Sequence, residues 1–226
     1  MKSIFVTLAI VTMAYGQSAP AVVSAVGAPD AVTPQLRQAR GTAFDDPGMP
    51  KLENLSPGTP QSTLHVRLAP DIPELPTKGV DVILVGQLNG SQAYQSNDHS
   101  NVYTESTVLV QQVFNQQSGN ANVGDTIALN QYGGTIILPA GQAIGVVTKG
   151  AGNPLQINER YLFFLIYSNG GQCYRVFKTW WLAGGRAVAM STDDLMRVKA
   201  GTSKYHNMPE SAILATAKAL VLTPFQ

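Results

Sequence analysis

Between Val80 and Ile166 the chain strings together at least four runs of strand-forming residues punctuated by turn residues, and that succession restricts the fold more than any other feature. The first run, Val80-Asp-Val-Ile-Leu-Val-Gly-Gln-Leu88, is nearly continuous in apolar β-formers and stops at Asn89-Gly90-Ser91. Such a run reads as a strand covered on both faces. The second, Val102 to Phe114, is dense in Val, Thr and Tyr and carries no Gly or Pro. At roughly 3.3 Å per residue it spans about 40 Å, so it must bend or cross between parts of a sheet, as barrel strands do. The third run, Asp125 to Tyr132, leads through Gly133-Gly134 into Thr135-Ile-Ile-Leu138, a pattern that predicts a hairpin. Arg160 to Tyr167 carries the densest apolar load and is a core strand.

The beginning of the chain has another character. Met1 to Gly16 has one Lys, about a dozen apolar residues and small residues at Ala14 and Gly16, the three parts of a secretory signal. It is too short for a bilayer, which takes about 20 residues. Cleavage is expected after Gly16, with Ala19 as the alternative, and the expected destination is the periplasm or the extracellular space. No Cys follows for lipid attachment, and no membrane anchor is expected. Removal of residues 1–16 lowers Lys plus Arg from 15 to 14 against 14 acids, a formal charge of zero. A neutral chain has no electrostatic footprint for nucleic acid. The one cysteine, Cys173, cannot form an internal disulfide.

Residues 17–63 are rich in Ala, Pro, Gly, Ser and Gln, with Pro20, Pro29, Pro34, Pro47, Pro50, Pro57 and Pro60, and their apolar residues follow no period. This composition predicts a disordered tether. Residues 64–226 are then one domain, with Leu64 to Leu68 as a short edge strand. Asn89 to Asn101 reads as a long polar loop around Tyr94. Neither that loop, with its single carboxylate Asp98, nor Asp45-Asp46-Pro47-Gly48 has a convincing cation ligand set, and no metal or cofactor is expected. Gln172 to Leu182 and Arg186 to Met190 form a hairpin around Gly184-Gly185, with Val176, Lys178 and Trp180 on one face and Trp181 on the other. Helical spacing over 209–222, opened by Pro209 and Glu210, predicts one C-terminal helix.

The order Val-Asp-Val-Ile-Leu-Val-Gly-Gln, Ala-Tyr-Gln-Ser-Asn-Asp, Val-Tyr-Thr-Glu-Ser-Thr-Val-Leu-Val, Gly-Gly-Thr-Ile, Asn-Pro-Leu-Gln-Ile-Asn-Glu-Arg-Tyr and Leu-Phe-Phe-Leu resembles a type of exported, mostly uncharacterised bacterial domain. The resemblance covers Val80 to Met190 and implies a small OB-like barrel of the kind seen in tissue-inhibitor and netrin modules. The expected fold is all-β, a five- to seven-stranded barrel with one C-terminal helix. Asn158 stands where that pattern has Gly. The resemblance brings no catalytic residues.

The sequence contains no Ser nucleophile elbow, zincin His pair, phosphate loop or paired Cys ligands. Cys173 has no His near it in sequence and reads as a small buried hydrophobe. The function expected is that of an exported, non-catalytic binding or interaction module for a protein or glycan. The alternatives are a glycan-active hydrolase, in which Glu105, Asp125, Glu159, Asp193 or Asp194 converge as a pair, and an inhibitor of an extracellular protease. The candidate recognition surface is Tyr94, Tyr103 and the more exposed of Trp180 and Trp181, because aromatic rings stack on sugars and anchor peptides.

Overall fold

The computed structural model describes residues 32–54, 72–138, 143–146 and 154–222. The predicted signal, the edge strand at Leu64 to Leu68 and residues 17–31 and 55–63 of the predicted tether lie outside these residues. The described chain is mostly β, with a six-stranded sheet, a two-stranded hairpin and three α-helices.

Strands β1 (Val82–Gln95), β2 (Val102–Gln116), β3 (Thr126–Tyr132), β6 (Arg160–Ser168), β7 (Cys173–Ala183) and β8 (Arg186–Ala189) make the main sheet in the order β3-β2-β1-β6-β7-β8. β3 also pairs in parallel with β7, through Leu129 with Tyr174 and Asn130 with Arg175. The other pairings in this sheet are antiparallel.

The continuous apolar runs of β1 and β6 are buried on both faces. Val82, Leu84, Leu88, Tyr161, Phe163 and Leu165 join Val108, Val110, Ile127 and Leu129 in one cluster. Their neighbours Ile83, Val85, Leu162 and Phe164 face the opposite way, where Leu75, Val80, Trp180 and two helices cover them. Burying each such side chain contributes about 1.5–3 kcal/mol before the entropy of ordering it is set against the gain.

The two helices on this face are α2 (Thr192–Lys199) and α3 (Glu210–Leu222), and α3 packs Ile213 and Ala217 on the second cluster. The C-terminal helix thus begins within one residue of its predicted start. α2 was not predicted. Ser191 caps it by accepting from the Asp194 amide, and Asp193 and Asp194 lie in its first turn, a start signal obscured by the shortness of the helix. Among the described residues no helix is long and apolar enough to cross a membrane.

Three expectations are corrected. Asn89-Gly90-Ser91 does not end β1; the strand runs on to Gln95, with a register shift between Leu88 and Gly90. A β-bulge absorbs the extra residue, so residues that resemble a turn bend a strand instead. Gly133-Gly134 does not close a hairpin either. Both glycines have positive φ and turn the chain away from β3 into β4 (Gly134–Ile137), whose partner is β5 (Ala143–Val146). Finally, another bulge between Phe164 and Leu165 leaves Phe177 without a facing partner. Val176 therefore packs with the first cluster while Trp180 sits in the second, and the simple alternation that put them on one face fails.

Residues 32–54 also depart from the tether reading. They hold a helix, α1 (Pro34–Thr42), and a 3-10 turn at Leu52–Asn54. Thr33 caps α1 and Pro34 sits at its first position, where the missing N–H costs nothing. The helix has no apolar stripe because the residues it buries are Arg40 and Gly41, so a search for hydrophobic period passes over it.

Candidate functional site

The extended β1–β2 hairpin reaches beyond the part of β1 that pairs with β6, and α1 lies against it. The turn between the strands is Ser96 to Asn101. Asp98 knots this turn by accepting from the hydroxyls of Ser96 and Ser100 at 2.8 and 2.6 Å and from the Ser100 amide at 3.0 Å. It also reaches the chain after α1, accepting from the Asp46 amide at 2.8 Å, while its own amide donates to Asp45 at 3.0 Å. Burial works against the charge of Asp98, but these hydrogen bonds outweigh it and hold the carboxyl well below the usual carboxylate range. Asn97 donates to the carbonyl of Gln38 and the hydroxyl of Thr42, and Asn101 donates to the carbonyl of Phe44.

Below the turn lies a buried ionic and aromatic cluster. Glu105 on β2 is 1% exposed and pairs with Arg40 at 2.8 Å and with Arg37 at 3.4 Å. Arg40 is itself 5% exposed and donates through Nε to the carbonyl of Gly171 in the β6–β7 connection. The two arginines are three residues apart, which places them one above the other on a helix face. Arg37 lies over the Tyr94 ring at 3.7 Å, and Phe44 stacks on Tyr103 with 4.6 Å between centroids and 2° between planes. Burial, then the Glu105 charge, raises the hydroxyl pKa of Tyr103, so this group stays protonated and donates to Glu105. Asn130, opposite Glu105 on β3, has a buried side-chain oxygen without a hydrogen-bond partner. Burial pushes the Cys173 thiol up to about 11, against the pull of Arg40.

No family model and no curated protein matches this chain.

The structure brings Tyr94 and Tyr103 together, with centroids 5.9 Å apart. Tyr103 is 1% exposed, however, so it does not present a free ring. Both rings are covered by the segment expected to be a tether. Trp180 is fully buried in the opposite cluster and donates to the carbonyl of Glu74. Trp181 is half-buried and donates to Glu159 at 3.0 Å. The two indoles pack with different clusters, so the aromatic patch reduces to Tyr94 over Tyr103. Arg37, Arg40 and Phe44 were missed as site residues, and Glu105, considered as a hydrolytic acid, is instead the countercharge of the two arginines. The only sequence signal of the missed residues was Thr33-Pro34 as a helix start followed by Arg at i and i+3.

Four of the five candidate acids have separate occupations, and Asp193 lies in the first turn of α2. Glu105 holds two arginines, Glu159 accepts from Trp181, and Asp125 accepts from the amide and side chain of Asn122. Asp194 is fully buried against Lys178 at 2.8 Å, with Ser191 and Arg197 also on its carboxylate. Among the described residues, no group of three or more His, Cys, Asp or Glu is placed to hold a metal ion.

Proposed function

We propose that this chain is an exported, non-catalytic interaction module built on an OB-like barrel, and that it binds its partner at the β1–β2 end. The strand order supports the barrel: β1 is antiparallel to β2 and β6, and β3 returns to β7 in parallel, which is the pairing a five-stranded Greek-key barrel requires. Barrels of that type bind ligands between the loop joining the first two strands and the loop joining the last two. Here those loops are Ser96 to Asn101 and Asn169 to Gln172. Placing the site there rests on analogy of fold. The reading of residues 1–16 as an export signal supports the location.

One observation carries the functional reading. A separate stretch of polypeptide, residues 33–54, already lies across this end and is held by an aromatic stack, a buried ion pair and main-chain hydrogen bonds. The surface therefore has the chemistry to hold protein. The aromatic and charged groups are engaged with that segment, as in a recognition surface, and Glu105, Asp125, Glu159 and Asp194, considered for hydrolysis, serve as acceptors.

The test exposes the chain and its Tyr94→Ala variant, matched in melting temperature, to secreted proteins and to polysaccharides from the producing organism. Retention of a protein by the wild type and its loss in the variant is the expected result. Turnover of a polysaccharide would replace this reading with the glycan-active hydrolase, and inhibition of an extracellular protease would specify the module as an inhibitor. Retention of nothing would overturn it.

A further inference from the structure

We infer that the β1–β2 end is a docking site for a protein segment bearing two arginines one helical turn apart and an aromatic residue four positions after the second, and that α1 with Phe44 occupies it in place of that partner. The inference rests on the interaction-module reading and names the chemistry of the partner. Glu105 supplies the determinant. A carboxylate that is 1% exposed is strongly disfavoured without a countercharge, and both of its countercharges come from α1. Any competing occupant must therefore bring cations to the same point.

Arginine is the residue that fits. Its planar fork lets Arg40 satisfy Glu105 and the carbonyl of Gly171 together, which a point charge on lysine does not reproduce. Arg37 uses its flat guanidinium on the Tyr94 ring, a second preference for arginine. The third determinant is the slot over Tyr103, filled by Phe44 with parallel rings and edged by Tyr132 at 5.9 Å.

These groups act together with hydrogen bonds from the Ser96 to Asn101 turn and the packing of Leu52 to hold the occupying segment. Its buried residues are Arg40, Gly41, Phe44 and Leu52, and a side chain at Gly41 would displace the Asn97 amide, which donates to Gln38 and Thr42. A nine-residue helix is also too short to persist alone in water, so the site orders the segment. The segment belongs to the same chain as its site, and an intramolecular ligand acts at an effective concentration on the order of millimolar. A partner that presents the same three side chains must outcompete that concentration.

The experiment uses the full chain with Arg37→Glu, Arg40→Glu and Phe44→Ala, which vacates the site, and a fluorescent synthetic peptide of residues 32–54. Anisotropy should show saturable binding to the vacated chain and binding at least about tenfold weaker to the wild type, where the tethered segment competes. Peptides carrying Arg40→Glu or Phe44→Ala should bind at least about thirtyfold more weakly. An alanine-based helix keeping only the two arginines, the glycine after the second and the phenylalanine at their spacing should still bind. If the vacated chain does not melt cooperatively, a wild-type chain cut by a protease site placed within 55–71 serves instead, and excess peptide should replace the cut segment. Failure of the peptide to bind or replace, or equal binding by the substituted peptides, overturns the inference. If sedimentation instead shows wild-type copies exchanging α1 to form dimers, the occupant is a second copy and the assignment to another partner falls. A secreted protein captured through Tyr94 while the peptides fail leaves the module reading standing without this inference, whereas capture of nothing removes both.

Discussion

Lys178 and Asp194 face each other almost without solvent, at 3% and 0% exposure, and burial drives them in opposite directions. It lowers the lysine pKa and raises that of the aspartate, each against the attraction of the other. The carbonyl of Pro73 accepts from Lys178, and Ser191 and Arg197 complete the partners of Asp194. Lys178→Met alone strips Asp194 of its nearest countercharge and should cost about 3 kcal/mol by urea denaturation, whereas Lys178→Met with Asp194→Leu should recover most of that loss. Asp98 gives a prediction in pH. Its native carboxyl titrates below the unfolded value of about 3.9, so its contribution is fully present above that value and is lost as pH falls towards the native one. The wild type should therefore lose melting temperature from about pH 4 downward, and Asp98→Asn should show a shallower fall over the same interval.

At the scale of elements, α1 shows what pattern reading misses. Period analysis looks for apolar faces, and a helix that docks through Arg40, Gly41 and the Phe44 beyond its end has none. The prolines that made residues 17–63 look like a tether instead flank a helix and a 3-10 turn where the chain is described. Deleting residues 32–54 would leave Glu105 and Tyr103 without their partners, and a buried charge losing its pair costs about 3–5 kcal/mol. For a domain of this size the melting temperature should fall by at least about 6 °C. An unchanged melting temperature would mean that α1 contributes nothing to stability. α3 and the β7–β8 hairpin were legible, since their signals are local. Pro209 and Glu210 open a helix, and Gly184 and Gly185 have the positive φ values that a two-residue hairpin turn demands.

The whole molecule is held by packing on two faces of one sheet, with no covalent help. Its one thiol is buried and, with a pKa pushed up to about 11, largely protonated at pH 8. Thiol reagents at pH 8 should label Cys173 only as fast as the chain opens, and neither reductant nor EDTA should move the thermal transition; a shift in EDTA would reveal an ion site. The sequence by itself, through its apolar runs, placed the centres of the main strands, though not the extension of β1 through Asn89 to Gln95. Runs such as Val82 to Leu88 and Arg160 to Tyr167 are apolar on successive residues, and only a strand buried on both faces accommodates that. It also determined the long β2 strand and the C-terminal helix, because these depend on neighbours in the chain. The tertiary structure decided which strands meet and what lies at the β1–β2 end. The return of β3 to β7 and the pairing of Arg37 and Arg40 with Glu105 join residues about 45 to 68 positions apart, and the bulges that redirect Asn89 and Phe177 depend on the register against a partner strand. Local propensity carries no information about those distances, and a polar contact leaves no periodic trace, so the site became visible only when the chain was folded.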